Sequence, residues 1–361
     1  MMFCLFGLYS TAAARDEAKQ KIAIIPFANY SNSQSAQDLI TNAVRDGLEA
    51  RGYQPVDKNL LRDKMRETRM RLIGEVDSVA AAQIAASSGS ELLITGSIDL
   101  YLEQDNPEVS VGLRIYDCDK SALVWVDCLS ATGEDYAGAF GVGRLTEIES
   151  IANSVVKKLI ERIPDLARPL DDTEREMSKE DRRLAGLGKI TVVRFDNSTE
   201  VLNADAVATS ALMAELWQRG FELLEPGEIS RVQMRLAVDI RGGITDDAMS
   251  ILRSEQNVGL IATGTVTTFS PIRNAQTEAA PEIEMNVRLI DPVDGRVISS
   301  VSMDRNGSDS ESLFGAGRVY SIGLVAQRSL HDGWKELVKG WIRQMDDSMT
   351  TTRTDGTSDS N

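Results

Sequence analysis

The stretch KIAIIPFANYSN, residues 21–32, returns 168 positions later as KITVVRFDNSTE, residues 189–200. Further matching pairs follow in the same order along the chain. They are RGYQPVD from Arg51 and RGFELLE from Arg219, LLITGSI from Leu92 and LIATGTV from Leu260, and FGVGR from Phe140 and FGAGR from Phe314. The last pair is 174 positions apart, so six residues were gained within one connection. We interpret the chain as a tandem duplication of a unit of about 145 residues, which is a normal domain length.

Each unit begins with an apolar run of strand length, which in the first unit extends from Ile22 to Phe27. Such a run is typical of a strand that is covered on both faces. Helical spacing follows, with a stop at Gly52, and a short polar turn at Asp117 to Ser121 indicates a hairpin. The predicted order is strand, helix, strand, two helices, three antiparallel strands and a closing helix. The sequence therefore predicts an α/β fold of two tandem two-layer mixed α/β sandwich domains.

The domain boundaries follow from composition. The first α/β repeat is predicted to span 21–163 and the second 189–343. Between them, residues 164–188 contain two prolines and twelve charged residues without an apolar stripe, which indicates a charged, solvated linker with some helix around 172–183. Residues 344–361 are rich in Ser, Thr and Asp and are predicted to form a disordered tail. We expect the two repeats to fold as independent domains.

The first fourteen residues resemble the end of a secretory signal, because an apolar run from Phe3 to Tyr9 is followed by three alanines, residues 12–14. A frayed apolar tail is the alternative. Cys4 lacks the small residues that precede a lipidated cysteine, so a lipid anchor is not predicted. No run reaches the length of a membrane-spanning helix. The other cysteines, Cys118 and Cys128, lie at positions that would not face each other across a hairpin, and we expect both to be unpaired.

Composition excludes several classes of function. The chain has 361 residues, of which 55 are acidic and 39 basic, and its formal net charge is −16. This balance argues against a protein that binds the phosphate backbone of nucleic acid. A single histidine, His331, excludes sites that need two imidazoles, and we expect it to be solvated. The sequence shows no nucleophile with a paired base and no metal-ligand spacing.

Taken together, the motifs resemble one family of envelope proteins. The pattern comprises a strand that ends in P-F-x-N, the segment G-Y/F-x-x-V-D, an alanine-rich helix, the strand LLITGSI and a hairpin from Asp117 to Trp125. It is similar to the family that holds the N-terminal domain of TolB, the curli-secretion protein CsgG and the penicillin-binding-protein activator LpoB. This resemblance implies a location in the periplasm or at the outer-membrane periphery and docking onto other envelope proteins. It brings no catalytic residues and no cofactor, and the tandem arrangement departs from LpoB.

Two glycine-rich corners recur before the closing helices and contain Gly143 with Arg144 and Gly317 with Arg318. Loops of this kind can hold phosphate at a helix N-terminus. The rest of the dinucleotide fingerprint is missing, however, so a tight turn over the sheet is the favoured interpretation. The two arginines, taken to be exposed, are candidates for a shared interaction surface or for support of the fold.

Other recurring residues have structural interpretations. Asn29 and Asn197 end the first strand in both copies and are expected to bond the backbone of the following turn. They are also weak candidates for interaction. Gly96 and Gly264 lie inside a strand, which indicates a bulge or a close approach by the terminal helix.

The leading functional hypothesis is a non-enzymatic accessory protein that docks onto other envelope proteins, in assembly, secretion or the regulation of cell-wall synthesis. The alternative is a small-molecule or glycan-binding periplasmic protein with its site between the two repeats, since domain interfaces favour pockets. A hydrolase that uses an acidic pair is a third hypothesis, and it requires the fold to assemble carboxylates that the sequence does not reveal. No catalytic residue, cofactor or metal is predicted.

Overall fold

The computed structural model describes residues 20–67, 74–137, 143–166, 177–239, 243–272, 279–312 and 317–355. The predicted secretory segment, residues 1–14, lies outside these ranges. Within them, each repeat forms one β-sheet with helices packed on it, so the predicted α/β class is confirmed.

The first repeat forms a sheet in the order β3-β1-β4-β5-β6, with the two-residue strand β2 pairing with β4. Its elements are β1 (Lys21–Ile24), β2 (Ala28–Asn29), α1 (Ala36–Ala50), β3 (Gln54–Pro55), α2 (Lys58–Glu67), α3 (Ser78–Ser88), β4 (Leu92–Leu102), β5 (Glu108–Asp117), β6 (Ala122–Thr132), a 3-10 helix (Gly133–Tyr136) and α4 (Ile148–Arg162). Strands β1, β3 and β4 are parallel, whereas β4, β5 and β6 are antiparallel. The predicted strands and helices of this repeat are all present, and most of their bounds differ by a few residues.

The second repeat begins with one additional helix and then follows the order of the first, without counterparts of β3 and the 3-10 helix among the described residues. Its elements are α5 (Lys179–Ala185), β7 (Lys189–Val192), β8 (Asp196–Asn197), α6 (Ala204–Gln218), α7 (Pro226–Leu236), α8 (Asp246–Gln256), β9 (Val258–Ser270), β10 (Glu282–Ile290), β11 (Val297–Asn306) and α9 (Ile322–Asp355). The sheet order is β11-β10-β9-β7, with β8 on β9. At the outer edge, a bridge between Ile190 and Leu223 stands where the first repeat has β3.

Helices α1 and α6 occupy the same position in their repeats, but their burial differs. Helix α1 buries Ile40, Val44 and Leu48 against its own sheet and exposes charged residues on the other side. In α6, the positions of Arg45 and Glu49 are taken by Met213 and Trp217, and these are buried. Helix α6 contacts β7 and β9 of its own sheet and also β4, β5 and β6 of the first sheet. A helix that is apolar on all sides is expected to lie between two packed layers.

The two sandwiches are therefore stacked in the order α1 and α4, first sheet, α6 and α9, second sheet. One hydrophobic core cluster includes Leu93 and Cys128 of the first sheet together with Leu260 and Met285 of the second. The expectation of independently folding domains disagrees with this packing, because removal of either repeat would expose the apolar surface that the other one buries.

Within 164–188, α5 overlaps the expected helix, but this part of the segment is not solvated as expected. Leu184 is fully buried, and the buried Asp181 accepts a hydrogen bond from Trp334 Nε1 at 2.8 Å. The charged residues around them hid these two inward-facing positions. The predicted disordered tail also differs from the structure, in which α9 continues to Asp355. The sequence contains no Gly or Pro that would end the helix between 344 and 355.

The close approach at Gly96 has a different cause from the predicted one. A Cβ at Gly96 would lie 2.3 Å from Phe27 Cε1, and one at Gly264 would lie 2.4 Å from Phe195 Cε1. In each repeat a fully buried phenylalanine and a carbonyl oxygen of the neighbouring strand, not the terminal helix, require the glycine. The prediction for the cysteines is confirmed, since Cys118 and Cys128 are both free.

Glycines also allow the repeats to approach each other closely. A Cβ at Gly227 of α7 would lie 2.3 Å from the carbonyl carbon of Val76, and one at Gly323 of α9 would lie 2.4 Å from Ser130 Cβ. The counterparts of these glycines in the first repeat, Asn59 and Glu149, are exposed. The contact of backbone with backbone at Gly227 leaves no side chain that could rotate away.

We expect Gly227→Ala to destabilise the whole chain by about 1–3 kcal/mol through overpacking, although the same change usually favours a helix. Gly243→Ala is the matched control, because no heavy atom lies within 4 Å of its added Cβ. Urea unfolding of both variants tests this. Equal stability of the two variants would contradict the close packing of the repeats.

Candidate functional site

A cavity of 590 Å³ lies between the two repeats. Its walls come from β4, β5 and the loop before α3 in the first repeat, and from α6, α7 and the end of β7 in the second. We call it the inter-repeat cleft. Charged and hydroxyl side chains line much of it. It lies where the alternative functional hypothesis expects a site. Domain interfaces are common places for ligand sites.

A buried ion pair joins the repeats beside the cleft. Arg114 Nε lies 3.1 Å from Glu225 Oε2, and both side chains are almost fully buried. The Arg114 guanidinium also donates to the carbonyl of Gly74, and Glu225 accepts from the backbone N–H of Val76. Burial raises the pKa of Glu225 to about 7, against the opposing effect of Arg114. Removal of one partner would leave a buried charge without compensation, which costs about 3–5 kcal/mol.

Two further bonds connect the loop before α3 to α7. Ser230 Oγ donates to Glu75 Oε2 at 2.7 Å, and the N–H of Ser78 donates to Glu228 Oε1 at 2.6 Å. The first of these fixes one oxygen of Glu75 at the cleft wall. Because Glu75 belongs to the first repeat and Ser230 to the second, the position of this carboxylate depends on the stacking.

A stacked pair of side chains forms another wall. The guanidinium of Arg194 lies 4.1 Å from the ring centre of Tyr30, and Arg194 Nε donates to Asp205 Oδ2 at 2.5 Å. Burial, with a smaller contribution from Glu75, raises the pKa of Tyr30 to about 12. The phenol is therefore neutral at physiological pH and can donate a hydrogen bond.

Two buried carboxyl groups lie on the face of the first sheet that α6 and α9 cover. Asp99 Oδ1 accepts from Ser97 Oγ at 2.6 Å, and Asp99 Oδ2 has no partner among the described residues. Glu108 Oε1 accepts from Ser321 Oγ of α9 at 2.7 Å and from the N–H of Gly323. Burial raises the pKa of each carboxyl to about 7. Both groups therefore carry a proton for part of the time at neutral pH.

The structure places Asn29 and Asn197 at matching turns. Asn29 Nδ2 donates to the carbonyl of Ser33 at 2.7 Å, while its Oδ1 accepts from the N–H of Ser31 at 3.0 Å. Asn197 makes the same two bonds with Val201 and Thr199. These bonds are the ones that the sequence predicted. Asn29 also lies at the edge of the inter-repeat cleft, whereas Asn197 does not line it.

The glycine–arginine corners lie outside the cleft. Gly143 and Gly317 have positive φ angles of 86° and 91°. Arg144 bonds Glu134 and the carbonyl of Asp105, and Arg318 bonds Glu311 and the carbonyl of Ala279. The arginine side chains are 28% and 17% exposed, so the expectation of exposed arginines is wrong. Each one holds neighbouring loops together at its own corner, and the rest of both glycine-rich stretches lies outside the described residues.

Sequence reasoning missed the cleft residues. The sequence patterns did not single out Arg114, Arg194, Glu75 or Glu225 as candidates for a site. One signal was present, because Asp99, Glu108 and Arg114 are charged residues within strands that are otherwise apolar. Burial of such groups requires partners, but Arg114 and Glu108 find theirs in the other repeat, more than a hundred positions away.

The remaining sequence expectations concern His331, metal ligands and membrane-spanning helices. His331 is half exposed, and its Nδ1 lies 3.2 Å from Glu215 Oε1. In the part of the chain that the structure describes, no group of three or more His, Cys, Asp or Glu side chains is arranged to hold a metal ion. None of the described helices combines the length and apolar character that a membrane span needs.

No protein-family model matches the chain, and no curated protein matches it. Solved structures that are similar to part of it include a PelC dodecamer from Paraburkholderia phytofirmans, the lipoprotein GNA1162 from Neisseria meningitidis and the C-terminal domain of LpoB from Salmonella enterica. Their sequence identities are 16%, 14% and 12%, and their TM-scores are 0.29, 0.30 and 0.26. The alignments cover 41%, 40% and 32% of this chain and 90%, 99% and 86% of those chains. Each alignment therefore covers most of the other protein but less than half of this chain.

The raised pKa values predict a pH dependence of stability. Between pH 5 and 8 the unfolded chain has lost the Glu108 proton, while the folded chain still holds it in part, so this group lowers stability as the pH rises. We expect Glu108→Gln to reduce the loss of unfolding free energy over this range by on the order of 2 kcal/mol. Urea unfolding at several pH values measures it.

The matched control is Glu282→Gln, since Glu282 occupies the equivalent position on β10 and is exposed. We expect it to leave the pH dependence of the parent unchanged. If both variants retained the full dependence of the parent, Glu108 would not be the group that titrates.

Proposed function

We propose that the protein is a non-enzymatic accessory protein of the cell envelope, located in the periplasm or at the outer-membrane periphery, that binds another envelope protein. The motif pattern in both repeats supports the envelope setting. The observation that supports a binding role is that one polar face of the second sheet is left partly uncovered. The first sheet uses its equivalent face to bind helices.

This open sheet face is the part of β9, β10 and β11 that points away from α6 and α9 and lies beyond the area that α7 and α8 cover. Its members are polar and are exposed or half-buried: Thr265, Thr267, Glu284, Asn286, Arg288, Ser300, Ser302 and Asp304. On the first sheet the equivalent residues include Ser110, Cys128 and Ser130, which α6 and α9 cover. The equivalent face of the first sheet already binds a helical layer, which supports a binding role for this position of the fold.

Charge indicates the chemistry of the partner. Glu284 of β10 and Asp304 of β11 stand directly opposite each other on the open sheet face, and both are exposed. Like charges at facing positions of neighbouring strands destabilise a sheet. Among the described residues, neither carboxylate has a salt bridge. The arrangement therefore favours a partner that presents a helix with Lys or Arg side chains to this face.

The buried carboxyls do not favour catalysis. Asp99 and Glu108 have the raised pKa values that general acids use, but both are fully buried beneath the helices of the second repeat. A general acid must reach its substrate within hydrogen-bond distance, directly or through one water. Turnover of an envelope substrate that a single carboxylate substitution abolished in the folded protein would contradict the non-enzymatic proposal.

We expect Asp304→Lys to weaken capture of the envelope partner at least about tenfold, because it replaces an attractive charge with a repulsive one on the open sheet face. The purified protein would be immobilised, and proteins captured from an envelope extract would be quantified by mass spectrometry. The variant should fold normally, since the introduced ammonium group would face the carboxylate of Glu284 across the strands.

Asp46→Lys is the matched control for this charge change. Asp46 is exposed on α1, in the helical layer at the other end of the stack. Its variant should capture the same proteins as the parent. The proposed surface would be wrong if both lysine variants captured a partner as well as the parent does, or if both lost it equally.

A further inference from the structure

The inter-repeat cleft lies apart from the open sheet face, so partner docking leaves it without a role. We infer that the cleft is a binding site for a neutral polyhydroxylated ligand, a saccharide unit held between the two repeats. Tyr30 and Glu75 of the first repeat and Arg194 of the second would bind it.

The size of the cleft fits a ligand of this class. Its volume of 590 Å³ lies within the range of about 300–1,000 Å³ that is usual for small-molecule sites. Both repeats supply its walls, and the bonds at Glu225 and Glu75 hold the two sides together. The site is thus formed before a ligand arrives, which lowers the entropic cost of binding.

The two arginines at the cleft are already paired with carboxylates of the protein. Arg114 is held by Glu225, and Arg194 is held by Asp205. An anion would meet guanidinium groups whose charge is largely compensated, and it would also approach the carboxylate of Glu75. A cation would approach the two arginines. The pairing therefore favours a ligand without net charge.

Several polar atoms at the cleft remain open to hydrogen bonds. The Tyr30 hydroxyl, the Nη1 and Nη2 groups of Arg194 and Oε1 of Glu75 have no hydrogen-bond partner among the described residues. All three side chains line the cleft and are partly exposed. Arginine only donates and an ionised glutamate only accepts, while the phenol can do both.

A ligand that satisfies these atoms must accept hydrogen bonds at one end and donate them at the other. A hydroxyl group does both, and a saccharide carries several on adjacent carbons. An apolar ligand would bury the open donors and acceptors without partners, at a cost of about 1–3 kcal/mol for each group. A polyhydroxylated ligand is therefore the class that fits this combination of paired charges and open hydrogen-bonding atoms.

The experiment uses the full chain and neutral sugars as probes: glucose, galactose, N-acetylglucosamine, cellobiose, lactose and chitobiose. Saturation-transfer NMR detects binding in the millimolar range, and calorimetry measures Kd at low and at high NaCl. We expect at least one sugar to bind with a Kd that changes less than about twofold between the two salt conditions, because screening acts on charges and not on neutral ligands.

Tyr30→Phe removes the hydroxyl and keeps the ring beneath Arg194, so it should weaken the bound sugar about fivefold without changing the melting temperature. Glu75→Ala should weaken it by about tenfold or more. Tyr53→Phe is the matched control, since Tyr53 packs against the opposite face of the first sheet, and it should bind like the parent. An equal loss in Tyr53→Phe and Tyr30→Phe would contradict the assignment of the cleft.

Inorganic phosphate, glutamate and putrescine serve as charged probes. Binding of one of these instead of a sugar, with a Kd that rises steeply with salt, would overturn the proposal of a neutral ligand. The proposal would also be overturned if no sugar bound the folded parent protein. Neither result bears on the capture of an envelope protein, which Asp304→Lys tests on a separate surface.

Discussion

Helix α6 packs against two sheets at once, and the arrangement of the molecule depends on this double contact. One side of the helix covers the second sheet, to which it belongs, and the other side covers the first sheet. This contact places Ser210 beside Ser97 and Met213 at the wall of the inter-repeat cleft. It also seals Asp99 from water, and that burial raises the pKa of the Asp99 carboxyl. The cleft and the buried carboxyls are both results of the stacking of one repeat on the other.

The same comparison shows which charges lie on the two outer surfaces of the stack. The outer side of α1, which corresponds to the side of α6 that covers the first sheet, exposes Asp38, Asp46 and Glu49. The open sheet face at the other end carries Glu284 and Asp304. Two copies of the chain would therefore bring acidic surfaces together if they stacked in the way that the repeats do. Like charge at both ends of the stack opposes this association and leaves the open sheet face accessible to another protein.

Much of the fold was predictable because it depends on local patterns. The apolar runs, the helix cap at Asp77 and the left-handed Gly89 fixed the strands and helices of the first repeat within a few residues. The sequence also encodes the stacking, because α6 carries Met213 and Trp217 where α1 carries charged side chains. This signal is visible only when the two helices are compared. The cleft was less accessible to prediction. Arg114 and Glu225 are 111 positions apart, and no local pattern indicates that they meet.

The second sheet retains some residues of the first at equivalent positions and replaces others. Arg288 on β10 occupies the position of Arg114 on β5, and Asn286 occupies that of Gly112. In the first repeat, Glu225 of the following repeat neutralises the arginine, and the glycine makes room for α6. In the second repeat, the larger Asn286 makes hydrogen bonds with Ser300 and Ser302 along the surface. A polar side chain that bonds its neighbours in the sheet stabilises an uncovered surface, whereas glycine there would leave backbone exposed. The replacement of Gly by Asn thus fits an accessible sheet face, on which a partner would meet a flat hydrogen-bonded surface instead of a groove shaped for a helix of this chain.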